Sequence, residues 1–564
     1  MSSSRTDGSK RGPVGVPQVS ARLLDLPWLR SAIVLGPVAL QALLIYRQVR
    51  HWVPVWAWYP DPGYQYLLAG GQIVTGGTPH HNDHPGTSAQ WIIGLVEFFT
   101  HVFVGNDSLR FDLIARPEFY AQVVGVTLAA LYIAALVFCG IRVLRAMGLV
   151  PSLVLQMILL WGLPIMDVGR YRLMPETIAL SAAIATVGVL APRLAASERR
   201  LSTQGILALG ILTAIGLTSK ILFVPLAVVT LIVLNRRELV HFILISVVSC
   251  AVILIPVYSR FDYMRTWFLG ILINPGRQGQ PGEPTDTLQS VSQSLVMLNL
   301  SVRWFVPVSL IIISTTWASV FVYRRVTGRW QWRSQLALTV GLILVLAAST
   351  KEAEMRDFLL AFPILAAMSA LGIFLIVNCL RSRLWKAFFA IAFTAPTTLL
   401  ALHGSVGSDY NFQATVDRTG QITSSIDALE ATTSSGRWGL GYNVWTQANA
   451  VLFALPWLNG AYGVEARSQI PEDLYFDIWS RVFIGTTESG EVRVLGCQET
   501  QRLLESEELG VIVETPNHLE FDSMGTSILL KNGLARIREL SNIGPYTAYT
   551  FTEIICSPGG GNDS

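Results

Sequence analysis

Eleven apolar runs, most approaching the roughly 20 residues that a helix needs to cross the hydrocarbon core of a bilayer, dominate this chain and constrain its fold more than any other feature. They lie at about 31–46, 119–141, 151–166, 177–190, 204–217, 221–234, 239–257, 304–323, 336–349, 358–380 and 387–402 of the 564 residues. Composition agrees: 51% of residues are hydrophobic and 14% charged, with a mean hydropathy of +0.47, whereas a soluble domain carries about a quarter charged residues. The expected fold class is an α-helical polytopic membrane protein of about eleven transmembrane helices. A net charge of +3 is too small to suggest a nucleic-acid partner, and the basic residues flank apolar runs, where orientation in the bilayer explains them.

The basic flanks fix the expected topology. The polar tail 1–30, Arg142 with Arg145, Arg193 with Arg199 and Arg200, Arg236 with Arg237, Arg324 through Arg333, and Arg381 with Arg383 and Lys386 all fall on one side. Residues crowded with Arg stay cytoplasmic, and the tail shows no small-residue cleavage site, so it reads as a cytoplasmic N-terminal segment. Counting "WIIGLVEFFTHVFVG" as a crossing would break the alternation, so it is expected to lie in the interface as an amphipathic helix. The opposite side then receives a first outer loop, 47–118, the stretch "DVGRYRLMPE", Lys220, "KEAEMRD" and the region 403–564. That last region is richer in charge and holds short β-like runs, "VRVLG", "LGVIVE" and "TSILLKN", between turn residues. It is expected to be an extracytoplasmic soluble α/β domain following a transmembrane domain at 31–402. Cys497 and Cys556 both fall there, where a disulfide is permitted but not specified by sequence. Cys139, Cys250 and Cys379 lie among apolar residues and read as packing groups.

Charge at a membrane boundary marks a candidate site, because it is costly unless solvated, paired or used. In "YPDPGYQYLLAGGQIVTGG" the spacing predicts a short surface helix with Asp61 at its start, either as an N-cap or as a reactive carboxylate. A second acidic cluster follows in Asp83 and His84, ahead of Pro85 and Gly86.

An acid after the first span, a short helix, an acid-His-Pro motif, an interfacial helix and Arg116-Pro117 at the second span together resemble the GT-C superfamily of glycosyltransferases. The branch most similar is that of the protein O-mannosyltransferases and aminoarabinose transferases. "RYRLMPET", "GLTSKILFVPL" and "KEAEMRDFLLAFP" are similar to outer-loop features of the family, and the likeness runs from Trp28 to about Leu402. The resemblance implies a membrane enzyme that moves a sugar, with inversion, from a polyprenyl phosphate to an extracytoplasmic hydroxyl. It places Asp61 and Asp83 as catalytic carboxylates, Asp61 being the general base that takes the acceptor proton. Cations must meet the phosphate leaving group: Lys220 and Arg356 first, then Arg170, Arg172 and Lys351. His84, Tyr64 and Glu176 are expected to position substrate or loop. The acids Glu176, Glu352, Glu354 and Asp357 are expected to pair with nearby arginines. Two departures stand out: Asp61-Pro62 replaces the family's frequent Asp-Glu, and His84-Pro85-Gly86 its usual His-Pro-Pro. These leave open a metal site for Mg²⁺ or Mn²⁺ at Asp83, His81 and His84. A transporter or flippase of lipid-linked glycans, and a glycan polymerase or ligase of another fold, remain the alternatives. The expected location is a bacterial cell membrane.

Overall fold

The computed structural model describes residues 27–55, 60–79, 86–166, 171–196, 200–273, 292, 295–296, 298–300, 302–349, 355–380, 382–432, 437–440, 451, 474–477, 482–486, 492–494, 497–506, 509–514, 527–530, 533–543 and 546–556. Within these the chain forms α1 (Pro27–Arg50), α2 (Pro60–Val74), α3 (Thr87–Val104), α4 (Leu109–Ala115), α5 (Pro117–Met147), α6 (Leu149–Trp161), α7 (Leu163–Met166), α8 (Pro175–Ala195) and α9 (Thr203–Ser219). There follow α10 (Val224–Val233), α11 (Arg236–Ile253), α12 (Phe261–Ile273), α13 (Phe305–Thr327), α14 (Trp332–Ser349), α15 (Ala361–Cys379) and α16 (Arg383–Thr432). Short 3₁₀ turns occupy Ile221–Phe223, Ile255–Arg260 and Met355–Phe358.

Every one of the eleven apolar runs is helical, but eleven full crossings do not follow. Among the described residues seven helices, α1, α3, α5, α8, α13, α15 and α16, are long and apolar enough to cross a membrane. An eighth appears if α11 and its continuation, bent by 75°, count as one span. The helices at 149–161, 203–219, 221–233 and 332–348 are shorter; a short helix is tolerated at membrane depth only where neighbouring protein satisfies its ends. Two helices form the centre. In α8 and α15 the spanning windows are 89% and 72% buried, as expected of helices apolar on every side. Trp161, Phe305 and Phe362 lock α6, α13 and α15 together with ring centroids 5.5–6.0 Å apart. A side chain on Gly404 would come within 2.5 Å of the Leu160 carbonyl, so α16 lies directly against the end of α6.

Helix α3 passes the length test for a span, yet its contacts join helix ends of one side. Ser88, near its start, bonds the Ile215 carbonyl of α9, and the Trp91 indole donates to the Ile253 carbonyl at the end of α11. His101, near its finish, meets Tyr120 in the first turn of α5. Its partner is α2: Gly70 and Gly94 approach so closely that a Cβ on Gly94 would lie 2.3 Å from the Gly70 carbonyl oxygen.

The last membrane-length helix among the described residues, α16, continues unbroken past the expected boundary at 402/403 to Thr432. Beyond it come β1 (Arg437–Leu440), β2 (Leu474–Asp477), β3 (Val482–Thr486), β4 (Val492–Val494), α17 (Cys497–Ser506), β5 (Leu509–Glu514), β6 (Ser527–Leu530), β7 (Gly533–Ile543) and β8 (Tyr546–Cys556). One sheet has the order β1-β5-β8-β7-β6, parallel at β1–β5 and antiparallel elsewhere; the other is antiparallel β2-β3-β4. The three β-like runs read from sequence are β4, β5 and β6. Cys497 and Cys556 form a disulfide with Cα atoms 5.7 Å apart, fastening α17 to the end of β8.

Candidate functional site

A buried charged junction joins three elements far apart in sequence. Lys220 ends α9, where its extended backbone breaks the helix. Its ammonium donates to Glu176 Oε1, in the first turn of α8, at 2.5 Å and to Asp357 Oδ1, in the 3₁₀ turn before α15, at 2.8 Å. All three side chains are at least 95% buried. Formally they sum to one negative charge, so Lys220 holds two carboxylates in place at the entrance to the two central helices. Glu176 is the first-turn helix acid that sequence suggests, and it shares with Asp357 a bond to this lysine that sequence reading did not anticipate. Charge order along the chain could not have revealed a pairing across 44 and 137 residues.

Gly86, which directly follows Asp83-His84-Pro85 in sequence, reaches the same junction. It donates its N–H to the Ser219 carbonyl at 3.1 Å, next to Lys220. Ser88 and Ser219 hydroxyls lie 2.6 Å apart. Gly86 has φ 57°, and a Cβ there would lie 2.3 Å from the buried Tyr66 hydroxyl of α2. A proline, held at φ near −65°, could not occupy this position. The departure from His-Pro-Pro therefore accompanies a different local backbone.

Two carboxylates brace the first loop. Glu118, second residue of α5, accepts from the Trp52 indole at 3.1 Å and the Val55 N–H at 3.1 Å through Oε2, and from the Tyr64 hydroxyl at 2.6 Å through Oε1. Tyr64 is fully buried; burial, then the Glu118 charge and hydrogen bond, push its hydroxyl well above the usual tyrosine range. At the other end of α3, Asp112 Oδ2 accepts from Arg116 at 2.6 Å and Tyr120 at 3.1 Å and lies 3.1 Å from His101 Nδ1. Burial alone would raise the Asp112 carboxyl, but hydrogen bonds from Arg116, Tyr120 and the Asn106 backbone, with the Arg116 charge, hold it below the ordinary carboxylate value. Arg116 of the Arg-Pro motif thus serves this cluster, its guanidinium also lying over the Phe119 and Tyr120 rings.

The sequence-derived residues can now be placed. Asp61 lies inside the first turn of α2, which begins at Pro60, so it is within the helix and not at the N-cap; it and Arg356, in the 3₁₀ turn beside Asp357, are described as backbone positions. Arg172 sits in the turn before α8, its carbonyl accepting from Thr177 Oγ1 at 2.7 Å. Tyr64 and Glu176 are buried at the braces above. Asp83, His81, His84, Arg170, Lys351, Glu352 and Glu354 lie outside the described residues. Among the described residues no three His, Cys, Asp or Glu gather as a metal-binding set. Sequence reading missed Glu118; its one signal was a carboxylate directly after Arg116-Pro117 at a helix start.

No family model and no curated protein matches the chain. Solved structures do: ArnT from Cupriavidus metallidurans bound to undecaprenyl phosphate is similar at 9% identity and TM-score 0.43, over 95% of this chain and 98% of that one. The Archaeoglobus fulgidus oligosaccharyltransferase in the apo form is similar at 11% identity and TM-score 0.41, over 80% of this chain and 70% of that one. Both belong to the GT-C glycosyltransferases, the superfamily that the sequence resembles. Likeness at this level concerns fold alone and assigns no residue a role.

Proposed function

We propose that the chain is a membrane glycosyltransferase that takes a sugar from a polyprenyl phosphate and adds it to a hydroxyl outside the cytoplasm. The observation that supports this best is the convergence, at one end of the bundle, of Gly86 from the acid-His-Pro segment with Ser219, and of Lys220 with Glu176 and Asp357. In the proposed reaction the acceptor oxygen bonds the anomeric carbon from the face opposite the phosphate, whose C–O bond breaks as Asp61 takes the hydroxyl proton. Arg172 and Arg356, with Arg170 and Lys351, meet the departing phosphate; a planar guanidinium suits two phosphate oxygens at once. Lys220 has its charge met by two carboxylates, which favours a bracing role that holds the elements bearing Arg172 and Arg356 against each other. Asp83 and His84 would complete the donor side, and they are also the residues that would ligate a divalent ion.

The test supplies purified protein with a radiolabelled polyprenyl phosphate sugar and a cell-envelope extract, alongside Asp61→Asn. The wild type should release polyprenyl phosphate and label an acceptor, while the variant loses on the order of 10²–10⁴-fold in turnover with donor binding intact. Equal turnover removes Asp61 from the reaction. Labelled lipid crossing a vesicle membrane without release would replace the transferase with a flippase.

A further inference from the structure

We infer that Glu118 is a positioning residue that sets the height and rotation of the first turn of α2, and with it the placement of Asp61 relative to the turn bearing Arg172. This rests on the proposed role of Asp61. One carboxylate gathers three donors: the Trp52 indole and the Val55 N–H from the chain just after α1, and the Tyr64 hydroxyl from α2. Tyr64 stands three residues after Asp61, about one helical turn. Glu118 itself is fixed by the start of α5, behind Pro117. The same brace reaches the other side of the site. The Trp52 ring packs on Gly125, where a Cβ would lie 2.8 Å from it and 3.1 Å from the Tyr171 carbonyl, and the Trp52 and Tyr171 rings are 6.4 Å apart. Tyr171 precedes Arg172. A shift of the Glu118 carboxylate therefore moves the Asp61 turn and the Trp52 wedge together.

Glutamate is suited to this in a way few residues are. Its two oxygens accept from both directions at once, three donors in all, whereas Gln offers a single acceptor oxygen and Ala none. The buried Tyr64 hydroxyl would lose its acceptor if the carboxylate were removed, and a buried polar group left unpaired is destabilising locally.

The experiment measures amide hydrogen exchange, in detergent or nanodiscs, for wild type, Glu118→Ala, Glu118→Gln and Tyr64→Phe. The expected result is exchange faster by about fivefold or more, fivefold being the change that one lost net hydrogen bond gives, across 52–67 in Glu118→Ala. The acceleration should be confined to 60–67 in Tyr64→Phe and smaller in Glu118→Gln, with α8 and α15 unchanged in all three. Where the wild type turns over donor, kcat should fall with donor KM preserved, and Glu118→Gln should recover part of kcat. Unchanged exchange at 52–67, or acceleration spread over the whole bundle, would overturn the inference. Should Glu118→Ala not fold, Tyr64→Phe carries the same test. A wild type that never uses a lipid-linked sugar defeats the proposed function alone, since exchange still decides whether Glu118 positions α2.

Discussion

The two ends of the helix bundle use charge differently. At the Lys220 end, side chain meets side chain: one ammonium between two carboxylates from distant elements. At the other end a buried Arg193–Glu238 pair, 3.9 Å apart, also reaches backbone groups. Arg193 donates to the Val233 carbonyl at 3.1 Å, and Arg333 donates to the carbonyls of Ile232 and Leu234, all at the C-terminus of α10. Glu238 accepts from the backbone N–H of Leu201 at 2.8 Å and of Asn235 at 3.0 Å, completing a capping box. Carbonyls and N–H groups left over at helix ends need such partners, so this end is explained by closure of the fold. At the Lys220 end the ammonium's described bonds go to carboxylates and not to helix-end backbone groups. These charges hold three loops together, which is the arrangement expected where a scaffold must keep loop-borne groups in register.

The sharpest way to break this contrast is Lys220→Ala. Removing the cation takes from two buried carboxylates the ammonium they share, and a midpoint of unfolding measured in detergent should report a loss of about 3–5 kcal/mol. Adding Glu176→Gln and Asp357→Asn should recover much of it. Full stability of Lys220→Ala together with lost donor binding would instead make Lys220 the phosphate cation and erase its bracing role. A smaller effect is expected at the capping end: Arg193→Ala should cost about 1–3 kcal/mol in the same measurement, because a carbonyl and a nearby carboxylate lose one donor. A cost equal to that of Lys220→Ala would mean the two ends do not differ in kind.

The smallest effect concerns Asp112, which accepts from Arg116 and Tyr120. Its carboxyl titrates below the ordinary value in the folded chain, so its stabilisation is complete above the unfolded value of about 3.9 and is lost as pH falls through the lower folded value. The stability difference between wild type and Asp112→Asn should stay flat from neutral pH to about pH 5 and shrink below about pH 4. A difference independent of pH down to the acid limit would show that Asp112 is not held ionised by Arg116.

Much of the architecture was legible because hydrophobic periodicity is a local signal. All eleven apolar runs are helical, and the three short β-like runs read after 403 are strands. Local signals failed where neighbours in space decide. α6 and α9 are helical as expected but shorter than the helices long enough to cross a membrane alone, and what satisfies the ends of a short helix is decided by packing. Asp61 lies within a helix because α2 starts at Pro60, a residue favoured at the first helical position. Glu118 was passed over because nothing in "RPE" announces three donors arriving from residues 52 to 64.

Sequence by itself determined that this chain needs a bilayer, where its helices run, and which loops carry acids and cations, because hydropathy and charge belong to each residue alone. Tertiary structure decided which of those charges meet. Lys220 chose Glu176 and Asp357, Gly86 its left-handed backbone against Tyr66, and Glu118 its three donors, because a buried polar group must find partners wherever folding brings them, at any separation along the chain.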